Sequence, residues 1–224
     1  MTLNVFGTKP QNAIYLPAQP FQVRLNCQAG QIALSETEFL GNEAEISIIK
    51  ASTYFGSLGK TRNTTWLQLF YIPAPSCTIL PANTVCVSYI KTRSLTAFHQ
   101  LVTKLIGTGT NPAEGIFKLS FLRHASGDRN YCSIKFDWRE RTGEAETEQL
   151  TMLASFLAEQ PKLLDLNGTR EMVCTDNLPS LLIQEMVDAA KEHPDLAANE
   201  IVSMLTAEPE PVAVLAPSNG RKRK

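Results

Sequence analysis

Hydrophobic and polar residues alternate along much of the middle of the chain, with the period of two that is typical of β-strands. β-branched and aromatic residues dominate these runs, and Gly, Pro and Asn separate them. The clearest five are EAEISIIKASTYF (43–55), TTWLQLFYI (64–72), TVCVSYIK (84–91), GIFKLSFLR (115–123) and NYCSIKFDWRER (130–141). A weaker strand is predicted in QAGQIALSE, and HASGDR between the last two runs predicts a hairpin loop.

Helical periodicity interrupts the strands once and then replaces them. After Ser94, a suitable N-cap residue, apolar side chains recur at helical spacing until Gly107. Beyond Arg141, helices are predicted in TEQLTMLASFLAEQ, PSLLIQEMVDAAKEH and PDLAANEIVSMLTAE. Pro194 separates the last two, which we expect to pack as a small helical hairpin.

The predicted order is therefore four strands, one helix, two strands and then helices alone. It indicates a mostly β protein with helices, either an OB-like Greek-key barrel or an α+β sheet, followed by a C-terminal helical segment. The corresponding boundaries are an irregular N-terminal arm (1–20), an OB-like β-rich domain with a closing helix (21–160), an acidic helical appendage (161–206) and a disordered tail with a basic end (207–224).

Composition favours a soluble, cytoplasmic protein. No apolar run approaches the roughly 18 to 20 residues that cross a bilayer, and the start MTLNVFGTKPQ lacks the pattern of a signal peptide. The 5 cysteines are widely spaced without a C-x-x-C pair, which argues against a disulfide framework and against a zinc site. We expect Cys27, Cys86 and Cys132 to be small core residues.

Charge is distributed unevenly, although the whole chain carries a formal charge of only −1. Counting Lys and Arg against Asp and Glu gives −2 for residues 1–45, +8 for 46–141, −11 for 142–219 and +4 for 220–224. The basic segment also contains 12 of the 17 aromatic side chains. Cations beside flat rings are the combination that holds single-stranded nucleic acid, so this segment predicts a nucleic-acid interface.

Strand alternation indicates which side chains would form that interface. In the final strand, Tyr131, Lys135 and Arg139 share one face, opposite the apolar side chains. Trp66 and Phe70 share a face of TTWLQLFYI, where they either stack bases or cover a second core layer. The candidate nucleic-acid-binding residues are Lys60, Arg62, Trp66, Phe70, Lys91, Arg93, Lys118, Tyr131, Lys135 and Arg139.

Catalytic patterns are absent from the sequence. The 3 histidines are far apart along the chain, and there is no Gly-rich phosphate loop, nucleophile elbow or His-Glu helix motif. We expect a non-enzymatic protein with no cofactor, metal or membrane partner, which binds single-stranded DNA or RNA, foremost single-stranded DNA, with little sequence preference. The competing hypothesis is an interaction or assembly module, whose basic sheet docks the acidic helices of a second copy or of a protein partner.

Several strings of the middle segment also carry a family resemblance. TTWLQLFYIPAP, LPANTVCVSYIKTRSLTAF, NPAEGIFKLSF and the closing FDWRER together resemble an uncharacterised family of cyanobacteria and their mobile elements, over roughly residues 44–158. At fold level the same stretch is similar to the OB-fold single-stranded-DNA-binding proteins of phages and plasmids. That likeness implies a bacterial or phage setting, in which the terminal GRKRK would not be a nuclear signal.

Overall fold

The structure, a computed structural model, describes residues 13–126, 129–159 and 172–206. The helices are α1 (Thr92–Gly107), α2 (Glu144–Glu159), α3 (Ser180–Glu192) and α4 (Ala198–Thr206). The strands are β1 (Phe21–Gln22), β2 (Arg24–Asn26), β3 (Gln31–Ala33), β4 (Phe39–Gly41), β5 (Ala44–Leu58), β6 (Thr61–Pro73), β7 (Cys86–Lys91), β8 (Ile116–Ser126), β9 (Arg129–Arg139) and β10 (Met172–Cys174). Most of the predicted arm, the start of the predicted appendage and the tail with GRKRK lie outside the described residues.

The main sheet of the described residues has the strand order β1-β7-β6-β5-β8-β9, and β10 pairs with β5 beside this path. β5 and β6 form a long antiparallel hairpin, in which Ile46 lies opposite Pro73 and Leu58 lies opposite Thr61. One edge of β5 pairs with two strands: β8 pairs with its residues 44–46, and β10 pairs with its residues 54–56. The β8–β9 hairpin therefore borders the sheet on one side, and the short parallel strand β1 borders it on the other.

This sheet is open, because its two border strands do not pair with each other in the described residues. Helix α1 lies against it, with the Phe98 ring centroid 5.9 Å from that of Phe117 and 5.2 Å from that of Phe136. Strands β2, β3 and β4 form a separate small antiparallel sheet, in which β3 is the weaker strand predicted in QAGQIALSE. Of the two predicted architectures, the α+β sheet is confirmed and a closed barrel is not found.

Both faces of the central strand β6 are buried. On one face, Leu69 and Tyr71 belong to the largest core cluster, which also contains side chains of α1, β8 and β9. On the other face, Phe70 packs against Leu153 and Phe156 of α2. A strand covered on both faces reads as a continuous apolar run, and TTWLQLFYI has only Gln68 as a polar residue after its two threonines.

The predicted C-terminal helical segment is confirmed. Helices α3 and α4 pack against each other, and their side chains Met186, Ala190 and Ile201 enclose Phe55 of β5. In the parts of the chain that the structure describes, no helix is both long enough and apolar enough to cross a membrane.

Helix α1 begins three residues earlier than predicted. Its N-cap is Lys91, and Ser94 lies inside the first turn with only 3% of its surface exposed. The Ser94 hydroxyl accepts a hydrogen bond from the backbone N–H of Ile134 at 2.9 Å. The prediction of Ser94 as N-cap is wrong, because its hydroxyl connects α1 to β9 instead of satisfying the helix end.

Gly115 allows the Trp138 ring to approach the backbone. A Cβ at Gly115 would lie 2.2 Å from Cε2 of Trp138, whose Nε1 donates to the Pro112 carbonyl at 3.0 Å. We expect Gly115→Ala to lower the free energy of unfolding by ~1–3 kcal/mol, the usual cost of overpacking. Gly107→Ala is the control, since a Cβ there meets nothing within 4 Å. Urea denaturation measures both, and equal stability of the two variants would contradict this packing.

Candidate functional site

Three segments of the chain meet at one end of the main sheet, and they contain most of the candidate residues. The Nζ of Lys91, at the end of β7, donates to the hydroxyl of Thr61, which follows the β5–β6 turn, at 2.6 Å. The Arg93 guanidinium, in the first turn of α1, donates to the hydroxyl of Tyr131 on β9 at 3.4 Å. Six candidates lie in these segments or further along β9, namely Lys60, Arg62, Lys91, Arg93, Tyr131 and Lys135.

A groove of about 360 Å³ opens where these segments meet. Lys91, Arg93 and Tyr131 line it, together with the edge of Trp66 and the residues 25–28 of the β2–β3 hairpin. The Nζ of Lys91 lies 5.2 Å from the centroid of the Trp66 ring, a distance at which a cation is attracted to the ring face. Among the described residues that line this groove, Lys91 and Arg93 are the charged ones and none is acidic.

His124 belongs to this site, although the sequence analysis did not select it. Its Nδ1 lies 3.2 Å from a guanidinium nitrogen of Arg93, and its Nε2 lies 2.7 Å from the Ser133 hydroxyl. Its ring is 5.1 Å from that of Tyr131, centroid to centroid. The predicted hairpin loop HASGDR contains His124, but the two strands continue into this segment and His124 lies opposite Tyr131.

The hydrogen bonds of His124 determine which of its nitrogens carries the proton. A guanidinium has only donors, so Nδ1 accepts from Arg93 and the proton of the neutral ring lies on Nε2. Nε2 then donates to Ser133, and in this geometry His124 does not act as a base toward that hydroxyl. The network positions Arg93 and supports the ring of Tyr131.

A second cavity of about 440 Å³ adjoins the groove along β9. Arg93, Ser133 and Ile134 line both spaces. Lys135 also lines the second cavity, and its Nζ lies 2.7 Å from a carboxylate oxygen of Asp137. Because both side chains are about half exposed, this ion pair contributes only ~0–1 kcal/mol, and Lys135 can exchange its partner for a ligand.

Lys118 faces a different environment. Its Nζ lies 2.8 Å from a carboxylate oxygen of Glu43, and it lines a cavity that also contains Glu45. The two carboxylates make this cavity unfavourable for a phosphate. The structure therefore separates Lys118 from the basic groove.

The rings of Trp66 and Phe70 are part of the core. Only 6% of Trp66 and 1% of Phe70 is exposed, and the indole Nε1 donates to the Gly56 carbonyl at 3.0 Å. Helix α2 covers Phe70, while Tyr54 and Met172 pack against Trp66. The prediction of base stacking on these two rings is corrected accordingly, because tertiary packing covers the face on which both lie.

Arg139 holds two elements together. Its guanidinium donates to both carboxylate oxygens of Glu45 on β5, at 3.0 and 2.8 Å, and to both oxygens of Glu146 on α2, at 2.9 and 2.7 Å. These bonds lower the pKa of Glu45 to about 2, lower the pKa of Glu146 and raise the pKa of Arg139. The prediction that Arg139 contacts nucleic acid is corrected, because its donors face two carboxylates of the same chain.

Arg141 supports the same junction and was not among the candidates. It donates to the Ser47 hydroxyl at 2.8 Å and to the carbonyls of Glu114 and Glu146 at 2.8 and 3.0 Å. Burial lowers the pKa of its guanidinium. Two arginines of the basic segment are therefore used to attach α2 to the sheet.

Comparison of the chain with protein-family models, with curated proteins and with solved structures found no match. The basis for a functional proposal is therefore the chemistry of the groove and of the cavity beside it.

The Arg139 junction predicts a pH-dependent contribution to stability. Glu45 and Glu146 have lowered pKa values in the folded chain, so their contribution is present above the ordinary carboxyl range of ~4 and is lost as the pH falls below it. We expect Glu146→Gln to lower the free energy of unfolding by ~1–3 kcal/mol at neutral pH and by progressively less below about pH 4.

The matched control is Glu148→Gln, which removes the same charge at an exposed position of the same helix. Urea denaturation between neutral and acidic pH measures both variants. The junction as described would be contradicted if both variants lost the same free energy of unfolding. It would also be contradicted if the loss caused by Glu146→Gln did not change with pH.

Proposed function

We propose that this protein binds single-stranded nucleic acid, foremost single-stranded DNA, with little sequence preference and without catalysis. The observation that carries the proposal is the pair of adjoining cavities at the sheet end, which share Arg93 and have Tyr131 and Lys91 beside them. Such cavities hold small planar groups, and the basic residues around them bind phosphates.

Phosphate recognition is assigned to Arg93 and Lys91. Arg93 lines both cavities, so a phosphate between two successive nucleotides would meet it. A guanidinium matches phosphate oxygens with paired donors. Lys91 is held near this point by Thr61. Lys60 and Arg62 extend the basic track on the side of the β5–β6 turn, and Lys135 extends it along β9.

Base stacking is assigned to Tyr131. Of the aromatic residues among the ten candidates, it alone has a substantially exposed ring, with 38% of its surface accessible. The ring is backed by His124 and its hydroxyl is held by Arg93, so it loses little freedom when a base stacks on it. A base in a duplex has both faces covered by its neighbours, which is why the site favours a single strand.

The competing proposal is an assembly module, in which the basic sheet docks acidic helices of a second copy or of a protein partner. One contact of this type exists within the chain, where Arg139 on β9 binds Glu146 on α2. This contact uses Arg139 and the nearest acidic helix, so a docking second copy would have to use other charges. We therefore place nucleic-acid binding first.

The first test concerns charge. Arg93→Gln is expected to weaken binding of a labelled ~30-nucleotide single strand about 10- to 150-fold, because a hydrogen bond to a charged group contributes ~1.5–3 kcal/mol. The plot of the logarithm of the binding constant against the logarithm of the salt concentration has a negative slope, and its magnitude should decrease by ~0.7 for the lost cation. Fluorescence anisotropy at several salt concentrations measures both quantities.

Lys104→Gln is the matched control, since it removes one positive charge from the exposed far end of the same helix. It should leave affinity close to that of the unchanged protein. Equal effects of the two variants would show that only net charge matters and would reject the groove. A self-associating protein without affinity for any single strand would support the assembly module instead.

The second test concerns stacking. Tyr131→Ala is expected to lower affinity by ~1–3 kcal/mol, the contribution of one stacked base, with no change in the salt slope. Tyr131→Phe keeps the ring and removes only the hydroxyl that contacts Arg93, so it should bind nearly as well. The same anisotropy titration separates these outcomes, and full affinity of Tyr131→Ala would reject the stacking role.

A further inference from the structure

Two cysteines that are distant in sequence lie side by side on the wall of the basic groove. The backbone N–H of Cys132 on β9 donates to the carbonyl of Cys27, which directly follows β2, at 2.6 Å. The bond lengths on either side of this hydrogen bond keep the two Cα atoms within about 6 Å of each other. Disulfides span Cα separations of about 4.4–6.8 Å, so the backbone already has the spacing that a bond requires.

The two residues also share their surroundings. Both contact the same core cluster, Cys132 as a buried member and Cys27 as a partly buried neighbour. Both also line the basic groove. Their electrostatic interaction is one of the causes that raise the pKa of the Cys27 thiol.

We propose that Cys27 and Cys132 are an oxidation site, at which a peroxide converts the two thiols into a disulfide that joins the β2–β3 hairpin to β9. The Cys27 thiolate attacks one peroxide oxygen, the O–O bond breaks, and a sulfenic acid and a first water form. The Cys132 thiolate then attacks the Cys27 sulfur, the S–S bond forms, and the sulfenic oxygen leaves as a second water. Two thiols lose two electrons and two protons, and the peroxide gains them.

Cys27 is the thiol that reacts first in this scheme. It is half-buried and lines the groove, whereas only 9% of Cys132 is exposed. Burial and Cys132 raise the pKa of Cys27, while the Ser94 hydroxyl and Lys91 at the end of β7 lower it. The raised pKa leaves little thiolate at neutral pH, so the reaction accelerates as the pH rises through the alkaline range.

Other cysteines are less suited to this chemistry. Cys77 and Cys86 also interact electrostatically, but Cys86 is fully buried and its thiol donates to the Thr84 carbonyl at 3.4 Å. Burial raises the pKa of Cys86 to about 12. Cys174 is exposed on β10, where it is accessible to a second molecule.

The bond would connect the two sheets. The β2–β3 hairpin belongs to the small sheet and β9 to the main sheet, and no strand pairing joins the hairpin to β9 in the described residues. A disulfide here closes a loop that contains most of the β-rich part of the chain. We therefore expect the oxidised protein to unfold at a higher temperature than the reduced protein.

Trypsin digestion of the full chain makes the test specific. It yields peptide 25–50 with Cys27 and peptide 130–135 with Cys132, while Cys77 and Cys86 share peptide 63–91 and Cys174 lies in peptide 171–191. After hydrogen peroxide treatment and alkylation of the remaining thiols, mass spectrometry should find peptides 25–50 and 130–135 linked. Dithiothreitol should separate them and reverse the rise in melting temperature.

Variants provide the controls. Cys132→Ser should abolish both the linked peptides and the rise in melting temperature on oxidation, whereas Cys77→Ser should abolish neither. Linkage that involves only Cys174 between two molecules, or sulfinic acid at Cys27 without the linked peptides, would overturn the proposal. Both readouts are independent of nucleic acid, so they stand or fall separately from the proposed function.

Discussion

The central constraint on this structure is that β6 is buried on both faces. A strand in this position needs a layer on each side, and α1 with β9 supplies one while α2 supplies the other. The far end of the β5–β6 hairpin is covered in turn by β10, α3 and α4. With both faces of the sheet occupied, a ligand has access at the strand ends and along the border strand, and the basic groove lies there.

Attachment of α2 to the sheet depends on charges as well as on apolar packing. Arg139 lies between Glu45 and Glu146, and Arg141 lies beside it with donors to Ser47 and to backbone carbonyls. The same junction therefore neutralises part of the acidic C-terminal region. The cations that remain toward the groove, Arg93 and Lys91, are positioned by neutral partners rather than by carboxylates.

The groove combines features that separate elements contribute. β7 supplies Lys91, α1 supplies Arg93, and the β8–β9 hairpin supplies His124 and Tyr131. Its remaining wall comes from the small sheet, and the Cys27–Cys132 contact is where that wall meets β9. Binding of a strand and oxidation of the two thiols would therefore act on the same part of the molecule.

Sequence alone determined the succession of the long strands and of the helices, because hydrophobic period, Gly and Pro act over a few neighbouring residues. It missed the short strands β1, β2, β4 and β10, and the order of helices alone that was predicted beyond Arg141 is wrong at β10. It also placed Tyr131, Lys135 and Arg139 on one strand face and located the basic segment. Tertiary structure decided which of those cations bind carboxylates of the same chain, since Glu45, the partner of Arg139, is 94 residues away in the chain. It likewise decided that Trp66 and Phe70 are core residues, because the side chains that cover them come from β10 and α2. Local periodicity cannot show which residues a distant segment will cover.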